Sequence, residues 1–121
     1  MESLTKKFYD LFRGFSNAHG QTEIIDSKKH GKQMSKSYIV REPLSLDLVQ
    51  QHLDGKKGIG SIPIDENNQC RFGALDIDEY NLDLKKLAKK INSLKLPLTL
   101  CRSKSGGAHL YIFLSEPILA T

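Results

Sequence analysis

The stretch that most constrains this chain is Cys70-Arg71-Phe72-Gly73-Ala74-Leu75-Asp76-Ile77-Asp78, an apolar run ending in two carboxylates one residue apart. Read as a strand from Phe72 to Ile77, its side chains alternate, so Asp76 and Asp78 share one face while Leu75 and Ile77 point into the opposite layer. Two like charges about 7 Å apart repel by roughly 0.6 kcal/mol in water and about 2.4 kcal/mol at an effective dielectric of 20. A divalent cation or bulk water offsets that cost. The plainer alternative is a solvated turn opened by two good turn residues, and Asp-x-Asp alone is too short to decide between them.

A chain of 121 residues has room for one domain around one modest core, and residues 1–121 read as a single domain. Hydrophobic residues make up 39% and charged residues 26%, the balance of a globular rather than a disordered protein. No apolar stretch approaches the roughly 18 residues that span a membrane, and Met1 to Lys7 lacks the apolar core of a signal peptide, so the expectation is a cytoplasmic protein with no membrane partner. Cys70 and Cys101 each sit in an apolar strand-like run and are expected as small buried hydrophobes in a reducing compartment. No paired Cys or His spacing suggests zinc. A net charge of +4, from 18 basic and 14 acidic residues, suits a polyanionic partner without establishing one.

Along the chain, Leu4, Phe8, Leu11 and Phe12 fall on one helical stripe, and Gly14 stops it. From Ser16 to Ser37 the sequence is polar, with only Glu23-Ile24-Ile25 strand-like. Its basic cluster Lys28-Lys29-His30-Gly31-Lys32 reads either as a solvated loop or as a nucleic-acid backbone contact. Tyr38-Ile39-Val40 predicts a short strand. Ser45 predicts the N-cap of a short helix carrying Leu48, Val49, His52 and Leu53 on one face and closed by Gly55, with His52 a packed histidine rather than a ligand. Gly58 to Ile64 reads as a strand, Asp65-Glu66-Asn67-Asn68 as a turn, and the two arms as a hairpin. Leu84, Leu87, Ala88, Ile91 and Leu94 then follow a helical period after Asn81, the expected N-cap, with lysines on the other faces. Leu98 to Arg102 and Ala108 to Leu114 read as strands around the loop Ser103-Lys104-Ser105-Gly106-Gly107, and Ser115-Glu116-Pro117 as a helix start.

In the last strand His109, Tyr111 and Phe113 share one face. A histidine entering a strand directly after Ser-Lys-Ser-Gly-Gly combines accessible backbone N–H groups with hydroxyl and ammonium donors, which suits phosphate. The alternative is a hairpin turn whose glycines supply positive φ and a histidine that faces solvent. Taken together, an acidic pair, a Gly-Ser loop with a lysine and a following histidine are the parts of a site for a metal-bound nucleoside triphosphate.

The order Asp76-Ile77-Asp78, helix, strand, Ser103-Lys104-Ser105-Gly106-Gly107-Ala108-His109 resembles the first two motifs of the archaeo-eukaryotic primase superfamily. Within it the chain is most similar to the primase domain of TOTE conflict systems and related phage or plasmid primase-polymerases, through His52-Leu53-Asp54-Gly55, Ile59-Gly60, the turn Asp65 to Asn68 and the opening Tyr9-Asp10-Leu11-Phe12-Arg13-Gly14. The resemblance covers most of Phe8 to Pro117 and is weakest across Ser16 to Ser37. It implies an α+β fold, a small mixed or antiparallel sheet with helices on one face and a catalytic cleft on the other. It implies that Asp76 and Asp78 ligate Mg²⁺ or Mn²⁺ and that His109 contacts the triphosphate of an incoming nucleotide, these three forming the catalytic set. Arg102, Ser103, Lys104, Ser105, Gly106 and Gly107 are further phosphate-contact candidates.

The implied partners are nucleoside triphosphates and single-stranded or primed DNA, with helicase or nuclease modules or a C-terminal half as further ones. The family's third motif is a carboxylate on a later strand, and no match follows His109. Two metal ions carry four positive charges, which two aspartates and a triphosphate can neutralise, but the metal beside the primer 3′-oxygen needs its own anchor. The expectation is therefore the N-terminal portion of a primase-polymerase that performs template-directed nucleotidyl transfer by a two-metal mechanism, inactive alone. The competing reading is a non-catalytic single-stranded nucleic-acid-binding domain in which Tyr111 and Phe113 stack bases; it leaves Asp76 and Asp78 without a role. A metal-dependent nuclease uses the same acids but lacks a Glu-x-Lys pair at a convincing distance.

Overall fold

The computed structural model describes residues 2–29, 32–79, 81–104 and 106–121, and of residues 24–29 and 32–34 the backbone alone. The chain divides into two compact units, one of Met1–Arg71 with Ile118–Thr121 and one of Phe72–Pro117.

The first unit opens with α1 (Leu4–Phe12), where the apolar spacing placed it. The Ser3 hydroxyl accepts from the Lys6 N–H at 3.2 Å, satisfying one of the donors that a helix start leaves open. Phe8 packs against Phe12 and the His52 ring, with centroids 4.8 and 5.9 Å away. The second helix, α2 (Leu46–Leu53), is capped by Ser45 as expected and buries Val49. His52 donates from Nδ1 to the Lys57 carbonyl at 3.0 Å, the packed role its apolar neighbours implied.

Between these helices lies a long antiparallel hairpin, β1 (His19–Lys29) and β2 (Lys32–Val40), paired continuously from His19↔Val40 to Ile24↔Ser35. Only fragments of it, Glu23 to Ile25 and Tyr38 to Val40, were legible as strand. Among its described residues, polar side chains meet across the strands. Thr22 and Ser37 hydroxyls meet at 3.0 Å, and the Tyr38 hydroxyl donates to Glu23 at 2.8 Å. Lys28 and Lys29 end one strand and Lys32 begins the next; His30 and Gly31 of the basic cluster lie outside the described residues.

The short β3 (Gly58–Gly60) pairs with β1, giving the order β2-β1-β3. The expected hairpin between Gly58–Ile64 and the acidic strand does not form. Its turn does: the Asp65 carboxylate accepts from the N–H groups of Asn67 and Gln69 at 2.8 and 3.0 Å. The first arm leaves the ladder after Gly60, because Pro63 has no N–H to give and the Ile62 carbonyl is taken by the Phe15 N–H at 2.8 Å.

A second three-stranded sheet has the order β4-β6-β5, from β4 (Gln69–Ile77), β5 (Thr99–Arg102) and β6 (Ala108–Leu119). The fold is thus α+β as expected, with two small sheets in place of one. Strands β5 and β6 are antiparallel, in register from Thr99↔Tyr111 to Arg102↔Ala108. Beyond Tyr111 that pairing stops, so Pro117 forfeits no bond to β5, and Ser115-Glu116-Pro117 continues the strand where a helix start was expected. The third helix, α3 (Leu84–Ser93), is capped by Asp83, whose carboxylate accepts from the Lys86 N–H at 3.1 Å. Asn81, the expected cap, instead takes a left-handed turn conformation at φ 61°.

Helix α3 buries Ile91, half-buries Leu84, Leu87 and Ala88, and exposes its lysines. On β6, Ala108 and Leu110 are buried. Two expectations fail here. Leu75 is 60% exposed rather than covered, and Cys101 is an exposed free thiol while Cys70 is half-buried. Among the described residues no helix is long and apolar enough to cross a membrane.

Candidate functional site

Alternation along β4 puts Phe72, Ala74 and Asp76 on one side, and the same rule puts His109, Tyr111 and Phe113 together on β6. The two rows meet. His109 Nε2 lies 3.4 Å from an Asp76 carboxylate oxygen, and the Phe72 ring sits 6.3 Å from both the Tyr111 and Phe113 rings. Tyr111 stacks on Phe113 with centroids 5.8 Å apart, and His109 meets Tyr111 edge-on at 6.2 Å. The polar end of this row is open to solvent, with the His109 side chain 42% and the Asp76 side chain 70% exposed.

Burial pushes the Tyr111 phenol above its ordinary pKa, and charge at Cys101 and Asp76 pushes in the same direction. The ring therefore stays protonated and able to donate at neutral pH. Cys101 belongs to this face because it pairs directly with His109 across the β5–β6 ladder. Sequence reading did not include it in the site, although strand parity counted through the five-residue loop would have placed it there.

Asp78 lies one residue past the end of β4 and is exposed. The loop beyond β5 is held from within: the Ser103 N–H donates to the Gly107 carbonyl at 3.0 Å, and the Gly106 N–H returns to the Ser103 carbonyl at 3.3 Å. Gly106 has φ 92°, a conformation that favours glycine. Gly107 abuts the backbone of Ile77, where a Cβ would overlap the carbonyl. The loop is thereby pinned against the residue between the two aspartates. Ser103 is half-buried and Lys104 exposed, and Ser105 lies outside the described residues.

Arg102 pairs with Ala108, on the opposite side of the sheet from His109. There it lines, with Asp83 and Lys85, a cavity of about 470 Å³. The candidate residues thus separate into Asp76 with His109, Asp78 and the loop at one strand end, and Arg102 behind.

Among the described residues no group of three His, Cys, Asp or Glu side chains is placed to hold a metal. Two exposed carboxylates still fit a hard divalent cation that keeps much of its water shell and takes further oxygens from a phosphate, as Mg²⁺ and Mn²⁺ do. They do not make a closed protein cage.

Residues 7–121 match the family model described as the TOTE conflict system, archaeo-eukaryotic primase domain. No curated protein matches the chain.

Proposed function

The chain belongs to the archaeo-eukaryotic primase domain family of TOTE conflict systems, a primase and nucleotidyltransferase-like family that acts on nucleotides and nucleic acid, and from that membership we propose that it is the nucleotide- and metal-binding part of a DNA primase-polymerase. The observation that supports the reading best is the 3.4 Å approach of His109 to Asp76 at the open end of one sheet face.

In this proposal Asp76 and Asp78 hold Mg²⁺ or Mn²⁺, which supplies charge neutralisation and polarisation of the phosphoryl oxygens when bound. His109 Nε2 donates to a phosphate oxygen and is oriented by its neighbour Tyr111. Lys104 and the Ser103–Gly107 loop approach the same phosphates. The reaction served is attack of a primer 3′-oxygen on the α-phosphorus, with the bond to the β-phosphate breaking and pyrophosphate leaving.

Because the described residues group no third carboxylate with Asp76 and Asp78, we propose that these 121 residues bind nucleotide and make little primer unaided. A primed-template extension assay on the purified chain tests this. Trace synthesis is expected, and robust templated synthesis overturns it.

A second reading, a non-catalytic single-stranded nucleic-acid binder, draws on the stacked Tyr111 and Phe113 rings, since bases stack on such platforms. It sets an anionic Asp76 on the face that must accept phosphates. Binding that strengthens with Mn²⁺ favours the nucleotide site; metal-independent binding favours the second reading.

A further inference from the structure

Of the opening segment Tyr9 to Gly14, residues Tyr9, Arg13 and Gly14 line a cavity. This cavity, of about 190 Å³, lies wholly within the first unit, and its polar lining includes Tyr9, Arg13, Ser61 and Arg71. We propose that it binds a phosphate group through Arg13 and Arg71.

Asp65 and Glu66 also line the cavity and keep their charge, but one oxygen of each is already taken by protein donors. Asp65 accepts from the N–H groups of Asn67 and Gln69, and Glu66 accepts from the hydroxyl and N–H of Ser16. Asp10, whose charge is felt by Arg13 through space, is paired with Lys6 at 2.7 Å. Among the described residues neither guanidinium has a hydrogen-bonding or ion-pair partner. Two arginines whose guanidinium groups carry ten N–H donors between them therefore line one small cavity, and planar bidentate recognition of phosphate is the chemistry such groups are built for.

The cavity is also firmly constructed. Gly14 lies so close to the Ile62 and Pro63 backbone that a Cβ would overlap it. His19, 1% exposed, donates from Nδ1 to the Glu42 carbonyl at 2.8 Å and accepts on Nε2 from the Gln21 amide at 3.0 Å. These ties hold Gly14 and the start of β1 in place, which reduces the ordering that binding must supply.

A phosphate could be a free or terminal monoester, or an internal phosphodiester of a nucleic-acid strand. The test titrates the full chain with inorganic phosphate, and separately with a single-stranded oligonucleotide lacking terminal phosphates, using wild type, Arg13→Gln, Arg71→Gln, Arg71→Lys and His109→Ala. The proposal expects each Gln variant to weaken binding on the order of tenfold and Arg71→Lys to retain more than Arg71→Gln, with His109→Ala reporting separately on phosphate bound at the nucleotide site. Loss seen with inorganic phosphate identifies the monoester. Loss seen only with the oligonucleotide identifies the backbone. Unchanged binding of both probes by both Gln variants overturns the proposal, as does a loss confined to His109→Ala. Because the nucleotide site uses His109 and neither Arg13 nor Arg71, its failure and this one are told apart by which variants lose binding.

Discussion

Gly107 is seated against the Ile77 carbonyl with no room for a Cβ between them, which joins the Ser103–Gly107 loop to the strand end that carries the aspartates. Gly107→Ala must push the two backbones apart, and overpacking of that kind costs about 1–3 kcal/mol. Urea unfolding checks the loss of stability. Gly106→Ala, at φ 92° with no close contact to relieve, is expected to cost only about 1 kcal/mol.

The pairing of His109 with Asp76 has little to do with holding the fold. Both side chains are well exposed, and exposed pairs contribute about 0.2–1 kcal/mol. His109→Ala and Asp76→Asn should therefore unfold within about 1 kcal/mol of wild type. A larger loss for either would make the pair structural.

Glu66 should lend the first unit a dependence on acid. The Ser16 hydroxyl, more than any other contact, holds its carboxyl below the ordinary 4.5. A carboxylate depressed by folding stabilises the native state fully above its unfolded pKa and loses that contribution as pH falls through the lower folded value. In Ser16→Ala the Glu66 midpoint, followed by NMR titration, should move up toward 4.5. The Ser16 N–H, which still donates at 2.8 Å, keeps the shift partial. An unmoved midpoint contradicts the assignment.

Tyr111 should act at the alkaline end. Its pKa is raised above 10.0, first by burial, so its stabilisation is complete below the unfolded phenol value and is lost as pH rises through the higher folded one. Ultraviolet titration of wild type against Tyr111→Phe should lose one late-ionising phenol. The variant's stability should fall less between pH 10.0 and the folded midpoint.

Segments with one apolar side and a capping residue were legible from sequence. Leu4 to Phe12 and Ser45 to Leu53 were found through their stripes and caps, and Asp65 to Asn68 through turn chemistry. The β1–β2 hairpin was hidden because the described residues that meet across it include polar pairs such as Thr22 with Ser37, which give no apolar alternation to read. Ser115-Glu116-Pro117 carried a helix-start signal that strand continuation overrode. At the site, parity grouped His109 with Tyr111 and Phe113 along one strand, but the meeting of Asp76 with His109 needed the adjacency of β4 and β6. The separation of Arg102 from them needed the β5–β6 register, which the pinned loop sets. The cavity of Arg13 and Arg71 joins residues far apart in the chain, and no local pattern announces it.

Calorimetric titration of a nucleoside triphosphate, with and without Mn²⁺, into wild type, Asp76→Ala/Asp78→Ala and His109→Ala tests the nucleotide site most directly. The proposed site predicts binding by wild type that requires Mn²⁺, loss in the double variant, and binding weaker by about ten- to a hundredfold in His109→Ala, the worth of a charge-assisted hydrogen bond. Equal binding by all three folded proteins, or binding indifferent to Mn²⁺, would contradict it.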